Sequence, residues 1–151
     1  MTPPKIIRPA GQSCAIVIFG SSQLPYLRIL RAGYQHCMVA VQSGEAWQLI
    51  DPLSNAFYVT ELGVARPDDI ISSFADQGFD AVPAQRCAPV AAEMPLGLFT
   101  CVEAVKRVLG IRNRWVMTPW QLRCVLSVRQ PLTSSRASAR DTRDDDEYKI
   151  C

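Results

Sequence analysis

The chain has 151 residues, of which 48% are hydrophobic, 20% charged and 8% aromatic, and its formal net charge is +2. This length fits one domain that buries about two thirds of its unfolded surface, and the composition is typical of a soluble globular protein. No apolar run approaches the roughly 20 residues of a membrane-spanning helix, so we expect no membrane span.

The N-terminal segment has only a faint similarity to a signal peptide. Basic residues precede a short apolar run at residues 15–19, but Pro3, Pro4 and Pro9 interrupt the segment. The run is also β-branched and too short for the hydrophobic region of a signal peptide. We therefore expect an extended arm at residues 1–12, no signal peptide, and a product made in the cytosol.

Cysteine usage argues against a metal site. The six cysteines, at positions 14, 37, 87, 101, 124 and 151, include no CxxC pair, and the chain has one histidine. No ordinary zinc spacing can therefore be assembled. Without an export signal we expect free thiols rather than disulfides, and we expect no metal and no cofactor.

The first half of the chain is rich in predicted strands. Turn residues separate apolar or alternating runs, which predict strands at residues 14–19, 26–31, 35–42, 46–50, 57–62 and 79–85. The runs at 35–42 and 46–50 flank Ser43-Gly44, and two such runs around a small loop predict a hairpin.

Start and stop signals predict three helices, at residues 67–77, 101–109 and 119–129. The first and third have proline in the first turn. The second begins with a capping box, in which Thr100 caps one backbone N–H and Glu103 reaches back to another, and it ends at Gly110.

The order of these elements predicts an α+β fold, with a small antiparallel sheet packed against the helix that carries Cys101. Residues 13–131 are predicted to form a single domain, with an irregular approach to that helix at 89–95. Residues 132–151 lack a hydrophobic face and are rich in serine and in charges of both signs. We expect this tail to be disordered or docked on a partner.

Cys101 is the first residue of the predicted helix 101–109. The unpaired N–H groups and the dipole at a helix start place partial positive charge beside the sulfur, which favours the thiolate. Cys101 also lies on the apolar stripe with Leu98 and Val105. Burial as an ordinary core residue is therefore the alternative.

His36, the single histidine, lies in the first strand of the predicted hairpin. A loop centred on Ser43-Gly44 places His36 directly opposite Asp51, with Cβ atoms about 5 Å apart on one face. The remaining pairs on that face are Met38 with Leu49 and Ala40 with Trp47. These pairs make the face apolar, as expected of a face covered by a helix, and one more loop residue would change the register.

A thiolate at a helix start, a histidine and a carboxylate are the parts of a cysteine hydrolase. Cys101 would be the nucleophile, His36 the base, and Asp51 the residue that fixes the imidazole, while the N–H of Cys101 stabilises the oxyanion. Each residue also fits an ordinary role, as a core cysteine, a structural histidine and a turn former before Pro52. The residues alone leave both readings open.

The stretch HCMVAVQSGEAWQLIDP, followed by FTCVEAVKRVLG, resembles the circularly permuted papain-like fold of the NlpC/P60 group, in which the histidine strand precedes the cysteine helix. The resemblance covers residues 34–110 and implies a cysteine peptidase or amidase with Cys101, His36 and Asp51 as its site. The chain departs from the family pattern in three ways. The offset often seen in the family selects Gln48 as the third residue, the loop before Cys101 lacks the family's usual polar residue, and Cys37 beside the histidine is unexplained.

The segment from FTCVEAVKRVLGIR to TPWQL also resembles small virion proteins of tailed bacteriophages. This resemblance implies a place in the virion tail, other tail subunits as partners, and cleavage of peptide or peptidoglycan amide bonds. It equally permits a non-catalytic structural or adaptor subunit that keeps the fold as a scaffold.

The C-terminal half contains a cluster of basic residues. Its members, which face only Glu103 as an acidic counterpart, are Lys106, Arg107, Arg112, Arg114, Arg123 and Arg129. Such a cluster fits an acidic partner or nucleic acid, but a solvated helical face explains it as well. Nucleic acid is therefore a distant alternative and not an expected partner.

Overall fold

The computed structural model describes residues 14–53, 55–87 and 100–129. The predicted arm at 1–12, the irregular segment at 89–95 and the tail at 132–151 lie outside the described residues.

Five antiparallel strands and three α-helices make up most of the described chain. The strands are β1 (Cys14–Gly20), β2 (His36–Ser43), β3 (Ala46–Pro52), β4 (Phe57–Val64) and β5 (Asp80–Gln85). The helices are α1 (Pro67–Asp76), α2 (Cys101–Leu109) and α3 (Pro119–Arg129). The strands form one sheet in the order β4-β3-β2-β1-β5. The predicted α+β class with an antiparallel sheet is confirmed.

Helices cover both faces of this sheet. On one face, here called the α2 face, Val39 and Phe19 pack with Val102 of α2 and Leu122 of α3. On the other face, here called the α1 face, Ile70 of α1 packs against buried residues of the sheet. These residues are Ile16, Ile18, Met38, Ala40 and Trp47. A central strand covered on both sides reads as a continuous apolar run, which is the pattern of β1.

The β2–β3 hairpin differs from its predicted register. Ser43 pairs with Ala46, so the loop is Gly44-Glu45, and Gly44 has the positive φ of 66° that glycine adopts readily. The predicted pairs are therefore wrong, because Ala40 lies opposite Leu49 and Trp47 lies opposite Gln42. The pairing moves by two residues, an even number, so each side chain keeps its predicted face.

The strand predicted at residues 26–31 is also wrong. The segment Pro25–Ile29 is a short 3₁₀ helix, with Leu27 N–H bonded to the Leu24 carbonyl at 3.1 Å and Leu30 N–H to the Leu27 carbonyl at 3.0 Å. Pro25 occupies its start, where the fixed φ of proline favours a helical turn over a strand.

Both ends of α2 are fixed by specific contacts. Thr100 accepts the Glu103 N–H at 3.2 Å, as the capping box predicts, but the Glu103 carboxylate accepts from Lys106 at 2.8 Å and from Arg107 at 3.1 Å rather than from the predicted backbone N–H. The ammonium of buried Lys106 also donates to the Val116 carbonyl at 3.1 Å. The start of α2, which carries Cys101, is therefore held by its cap and by the chain that follows it.

Within the described residues, no helix is both long and apolar enough to cross a membrane.

Gly110 and Gly78 provide a matched test of how α2 is seated. Both have a positive φ, of 73° and 86°, but a Cβ at Gly110 would lie 3.0 Å from the Cys87 carbonyl oxygen, whereas one at Gly78 would meet nothing within 4 Å. We expect Gly78→Ala to cost about 1–2 kcal/mol of unfolding free energy from backbone conformation. Gly110→Ala should cost at least about 1 kcal/mol more, because the backbone beside it must move. Equal losses of unfolding free energy in urea would contradict the close approach of Gly110 to the Cys87 backbone.

Candidate active site

Cys101 and His36 each begin a secondary-structure element. Cys101 is the first residue of α2 and packs, partly buried, against the cluster on the α2 face. His36 is the first residue of β2, and its pairing partner in β1 is Gly20. The start of α2 and the start of β2 meet, because the Cys101 sulfur interacts with the His36 side chain.

His36 and Asp51 make the contact that the hairpin predicts. Nε2 of His36 lies 2.7 Å from Oδ1 of Asp51, and the two side chains are 17% and 29% exposed. This separation is typical of a charge-assisted hydrogen bond. Because the register is shifted, the two residues are diagonal neighbours across β2 and β3 rather than directly opposed. Gln48, the other candidate for the third residue, is exposed and lies opposite Val41, farther along the hairpin.

The predicted assignment of faces needs a correction. The apolar face of Met38, Ala40 and Trp47 is covered by α1, whereas the cysteine helix α2 lies on the opposite face. Strand alternation therefore directs Cys37, not His36, toward α2. Cys101 nevertheless forms hydrogen bonds with both residues, through the Cys37 and His36 side chains.

Cys37 is the residue of this site that sequence reasoning missed. It is 0% exposed and belongs to the cluster on the α2 face. Its side chain and its backbone N–H both form hydrogen bonds with the Cys101 sulfur. Its position directly after His36 in a strand was the available signal, since alternation sends consecutive side chains to opposite faces.

The hydrogen bonds around Cys101 stabilise its thiolate. The bond from the Cys37 side chain contributes most, and the His36 side chain and the Cys37 N–H add to it. Burial opposes them, since it disfavours the charged form, but the bonds prevail and lower the pKa of Cys101 to about 4.

The pKa values of the two neighbours move in the complementary direction. Burial by itself would lower the pKa of His36, but hydrogen bonds with Cys101 and Asp51 outweigh it and raise that pKa. The hydrogen bond to Cys101, together with burial, raises the pKa of Cys37 well above its ordinary value. These shifts favour the negative charge on Cys101, a proton on His36, and a neutral Cys37 thiol that donates to the Cys101 sulfur.

A group of aromatic and charged side chains lies at the same end of the sheet as Cys37. Tyr34 donates to Asp80 at 2.8 Å, and Arg123 of α3 donates to the same carboxylate oxygen at 2.7 Å. Trp120 of α3 packs edge-on to Tyr34 and carries the Arg31 guanidinium 3.6 Å from its ring centroid. Asp80 pairs with Phe19, which in turn pairs with Cys37. This group therefore anchors α3 beside Asp80, Phe19 and Cys37, which are paired across β5, β1 and β2.

The basic cluster of the C-terminal half is partly neutralised within the fold. Lys106 and Arg107 pair with Glu103, and Arg123 pairs with Asp80. These three cations have acidic partners, so the described part of the cluster offers less free positive charge than its composition indicates.

No group of three or more histidine, cysteine or acidic side chains that could hold a metal ion occurs within residues 14–53, 55–87 and 100–129.

The reactivity of Cys101 tests the hydrogen bonds that stabilise its thiolate. Because Cys37 and His36 lower the pKa of Cys101, removal of either side chain raises that pKa and reduces the thiolate fraction near pH 6. We expect Cys37→Ala and His36→Ala each to slow alkylation of Cys101 at about pH 6 by roughly tenfold or more. Cys37→Ser keeps a donor and should stay closer to the parent.

The readout is site-resolved mass spectrometry after timed exposure to iodoacetamide. Cys124 is exposed on α3 and serves as the internal reference in every sample. Unchanged labelling of Cys101 in both alanine variants would contradict the proposed origin of the lowered pKa.

The titration of His36 distinguishes Asp51 from Gln48 as its partner. The hydrogen bond to Asp51 raises the pKa of His36, so Asp51→Asn should lower it, whereas Gln48→Ala should leave it unchanged. His36 is the single histidine of the chain, so its imidazole proton signals can be followed by NMR without ambiguity. A fall in the Gln48 variant alone would assign the third position to Gln48.

Comparison of the chain with protein-family models, with curated proteins and with solved structures finds no match in any of the three. The resemblance to circularly permuted papain-like hydrolases therefore stays a prediction from the sequence. A functional proposal for this chain depends on the geometry around Cys101.

Proposed function

We propose that this chain is a cysteine peptidase or amidase, with Cys101 as nucleophile, His36 as general base and acid, and Asp51 as the residue that orients the imidazole. One observation carries the proposal, namely the continuous series of contacts from the Cys101 sulfur to His36 and from His36 to Asp51 at 2.7 Å. A nucleophile bonded to a base, with the base held by a third group, is the arrangement that covalent acyl transfer requires.

Acylation begins from the thiolate and imidazolium pair. The Cys101 sulfur attacks the carbonyl carbon of the substrate amide and gives a tetrahedral oxyanion. His36 then donates its proton to the leaving nitrogen, so that the C–N bond breaks, the amine departs and a thioester remains on Cys101. Because Asp51 holds Nε2, we assign this proton transfer to Nδ1 of His36.

Deacylation returns the site to its starting state. Neutral His36 takes a proton from water, and the hydroxide attacks the thioester carbon. The C–S bond then breaks, the carboxylic acid leaves, and the thiolate and imidazolium pair is restored. Asp51 keeps the imidazole in one orientation through both steps, since its carboxylate stabilises the cationic ring.

The first turn of α2 is the proposed site for the oxyanion. N–H groups at a helix start have no acceptor within their own helix, and Thr100 takes up only that of Glu103. The N–H of Cys101 itself is adjacent to the carbon that its sulfur attacks, so it can donate to the developing negative charge.

The phage resemblance supplies the proposed setting. A virion-associated hydrolase in the tail would act on peptidoglycan or on peptide amide bonds, with neighbouring tail subunits as its partners. The motif from FTCVEAVKRVLGIR to TPWQL, which spans α2 and the start of α3, supports this assignment.

A second candidate function is a non-catalytic structural or adaptor subunit of the same particle. Edge strand β4 favours it, because more than half of the surface of Phe57, Tyr58, Val59 and Val64 is exposed. An apolar strand at a sheet edge is a surface on which another chain can pair. On this reading Cys101, His36 and Asp51 are packing residues.

Amine release from purified peptidoglycan and from peptide mixtures tests the enzyme proposal. We expect hydrolysis by the parent chain and by Cys124→Ala, which removes an exposed thiol of α3. Cys101→Ala should lose activity by at least about a thousandfold, because the proposed thioester forms on the Cys101 sulfur. Activity retained in Cys101→Ala, or none in a folded parent with every substrate, would reject the hydrolase and favour the structural subunit.

A further inference from the structure

The hydrolase mechanism uses one of the two thiols that meet at the start of β2. Cys37 is completely buried and points toward α2, whereas Cys101 is partly exposed at the start of that helix. Cys37 belongs to the buried cluster on the α2 face and Cys101 packs against that cluster, where the Cys37 thiol and N–H donate to the Cys101 sulfur. The structure therefore holds an accessible thiol in contact with an inaccessible one.

We propose that Cys101 and Cys37 form a reversible disulfide when Cys101 is oxidised by a hydroperoxide, with Cys37 as the resolving thiol. The proposal rests on contact between the two thiols and does not depend on hydrolase activity. In a hydrolase, the disulfide would consume the nucleophile and stop catalysis until a thiol reductant restored it.

The first step takes place at Cys101. Its thiolate attacks one oxygen of the hydroperoxide, the O–O bond breaks, and Cys101 becomes a sulfenic acid. The departing oxygen takes the proton carried by His36 and leaves as an alcohol, or as water when the oxidant is hydrogen peroxide. Cys37 cannot take this step, since it has no exposed surface for the oxidant to reach.

The second step joins the two sulfurs. Cys37 attacks the sulfur of the sulfenic acid, the S–O bond breaks, and hydroxide leaves as water with the proton of the Cys37 thiol. The two thiols lose two electrons together, and the hydroperoxide gains them. The two cysteines are neighbours in the cluster on the α2 face, so the sulfurs can meet to form the new bond.

The charges at the site place the two steps in this order. The hydrogen bond to Cys101 and the negative charge of that thiolate help to raise the pKa of Cys37. A sulfenic acid is neutral, so oxidation of Cys101 removes that charge and makes Cys37 easier to deprotonate. Cys37 therefore becomes a better nucleophile only once its target exists.

Two other described thiols lie outside this contact and serve as controls. Cys14 is exposed at the far end of β1. It lies five residues along that strand from Phe19, which pairs with Cys37, and this places Cys14 about 17 Å from Phe19. Cys124 is exposed on α3. Neither has a buried thiol partner in the contacts described for the site.

The test treats the natural chain with graded hydrogen peroxide, blocks free thiols with iodoacetamide, and maps the cysteines by mass spectrometry without reduction. We expect a Cys37–Cys101 crosslink, lighter than the two free peptides by two hydrogens and removed by dithiothreitol, while Cys14 and Cys124 stay free to alkylate. Trypsin leaves Cys87 and Cys101 in one peptide, so fragmentation must assign the linked sulfur to Cys101.

Cys37→Ser removes the resolving thiol and keeps a polar donor of similar size. In this variant we expect a dimedone-trapped sulfenic acid on Cys101, followed by sulfinic acid that dithiothreitol does not reverse, whereas Cys124→Ser should form the crosslink like the parent. The proposal is overturned if peroxide leaves Cys101 of the natural chain unmodified, links it to another cysteine such as Cys87, or drives it to sulfinic acid without a crosslink. These outcomes are read on the natural chain, so they hold even if Cys37→Ser fails to fold.

Discussion

The position of the Cys101 sulfur over the start of β2 is the interaction on which the rest of the site depends. Val102, Val105 and Leu109 are buried on the α2 face and fix the helix against the sheet. The Thr100 cap fixes where the helix begins, and Lys106 joins it to the Val116 carbonyl. The sulfur is thus positioned by the same contacts that stabilise the core, and a change in the packing of α2 changes its chemistry.

Cys101, His36 and Cys37 compete for protons around one negative charge. Burial disfavours any charge at this site, and its effect on Cys101 is overcome by donors from Cys37 and His36. The same donation raises the pKa of Cys37, while Asp51 supports the proton on His36. The result is a thiolate held by two donors, which fits both acyl transfer and reaction with an oxidant.

Sequence reasoning predicted the local elements well and their relative placement less well. The proline and aspartates in the first turn of α1 and the Thr100 cap before α2 act within one helical turn, so they can be recognised without knowledge of the fold. The contact between His36 and Asp51 was predicted with the wrong pairing. A shift of two residues preserves the face of each side chain, and the histidine reaches its diagonal neighbour.

The role of Cys37 was not predicted, because the signal from strand alternation becomes decisive only when the helix that covers each face is known. The face of β2 that was expected to meet a helix is covered by α1, but β1 is buried on both faces and the cysteine helix α2 covers the other one. Alternation along β2 distinguishes Cys37 from His36 only once α2 is placed on the other face. The 3₁₀ turn at Pro25 was likewise misread as a strand, since its apolar residues lack helical periodicity over so short a span.

The charge on the Cys101 sulfur can be followed by the ultraviolet absorbance of its thiolate as a function of pH, taken as the difference between the parent and Cys101→Ser. We expect a single step with a midpoint near pH 4, since donors from Cys37 and His36 lower the pKa of Cys101 to about 4. A step at the ordinary cysteine midpoint of about pH 8.5, or higher, would contradict it. Cys101 would then be a buried thiol, and its contact with His36 would have no chemical consequence.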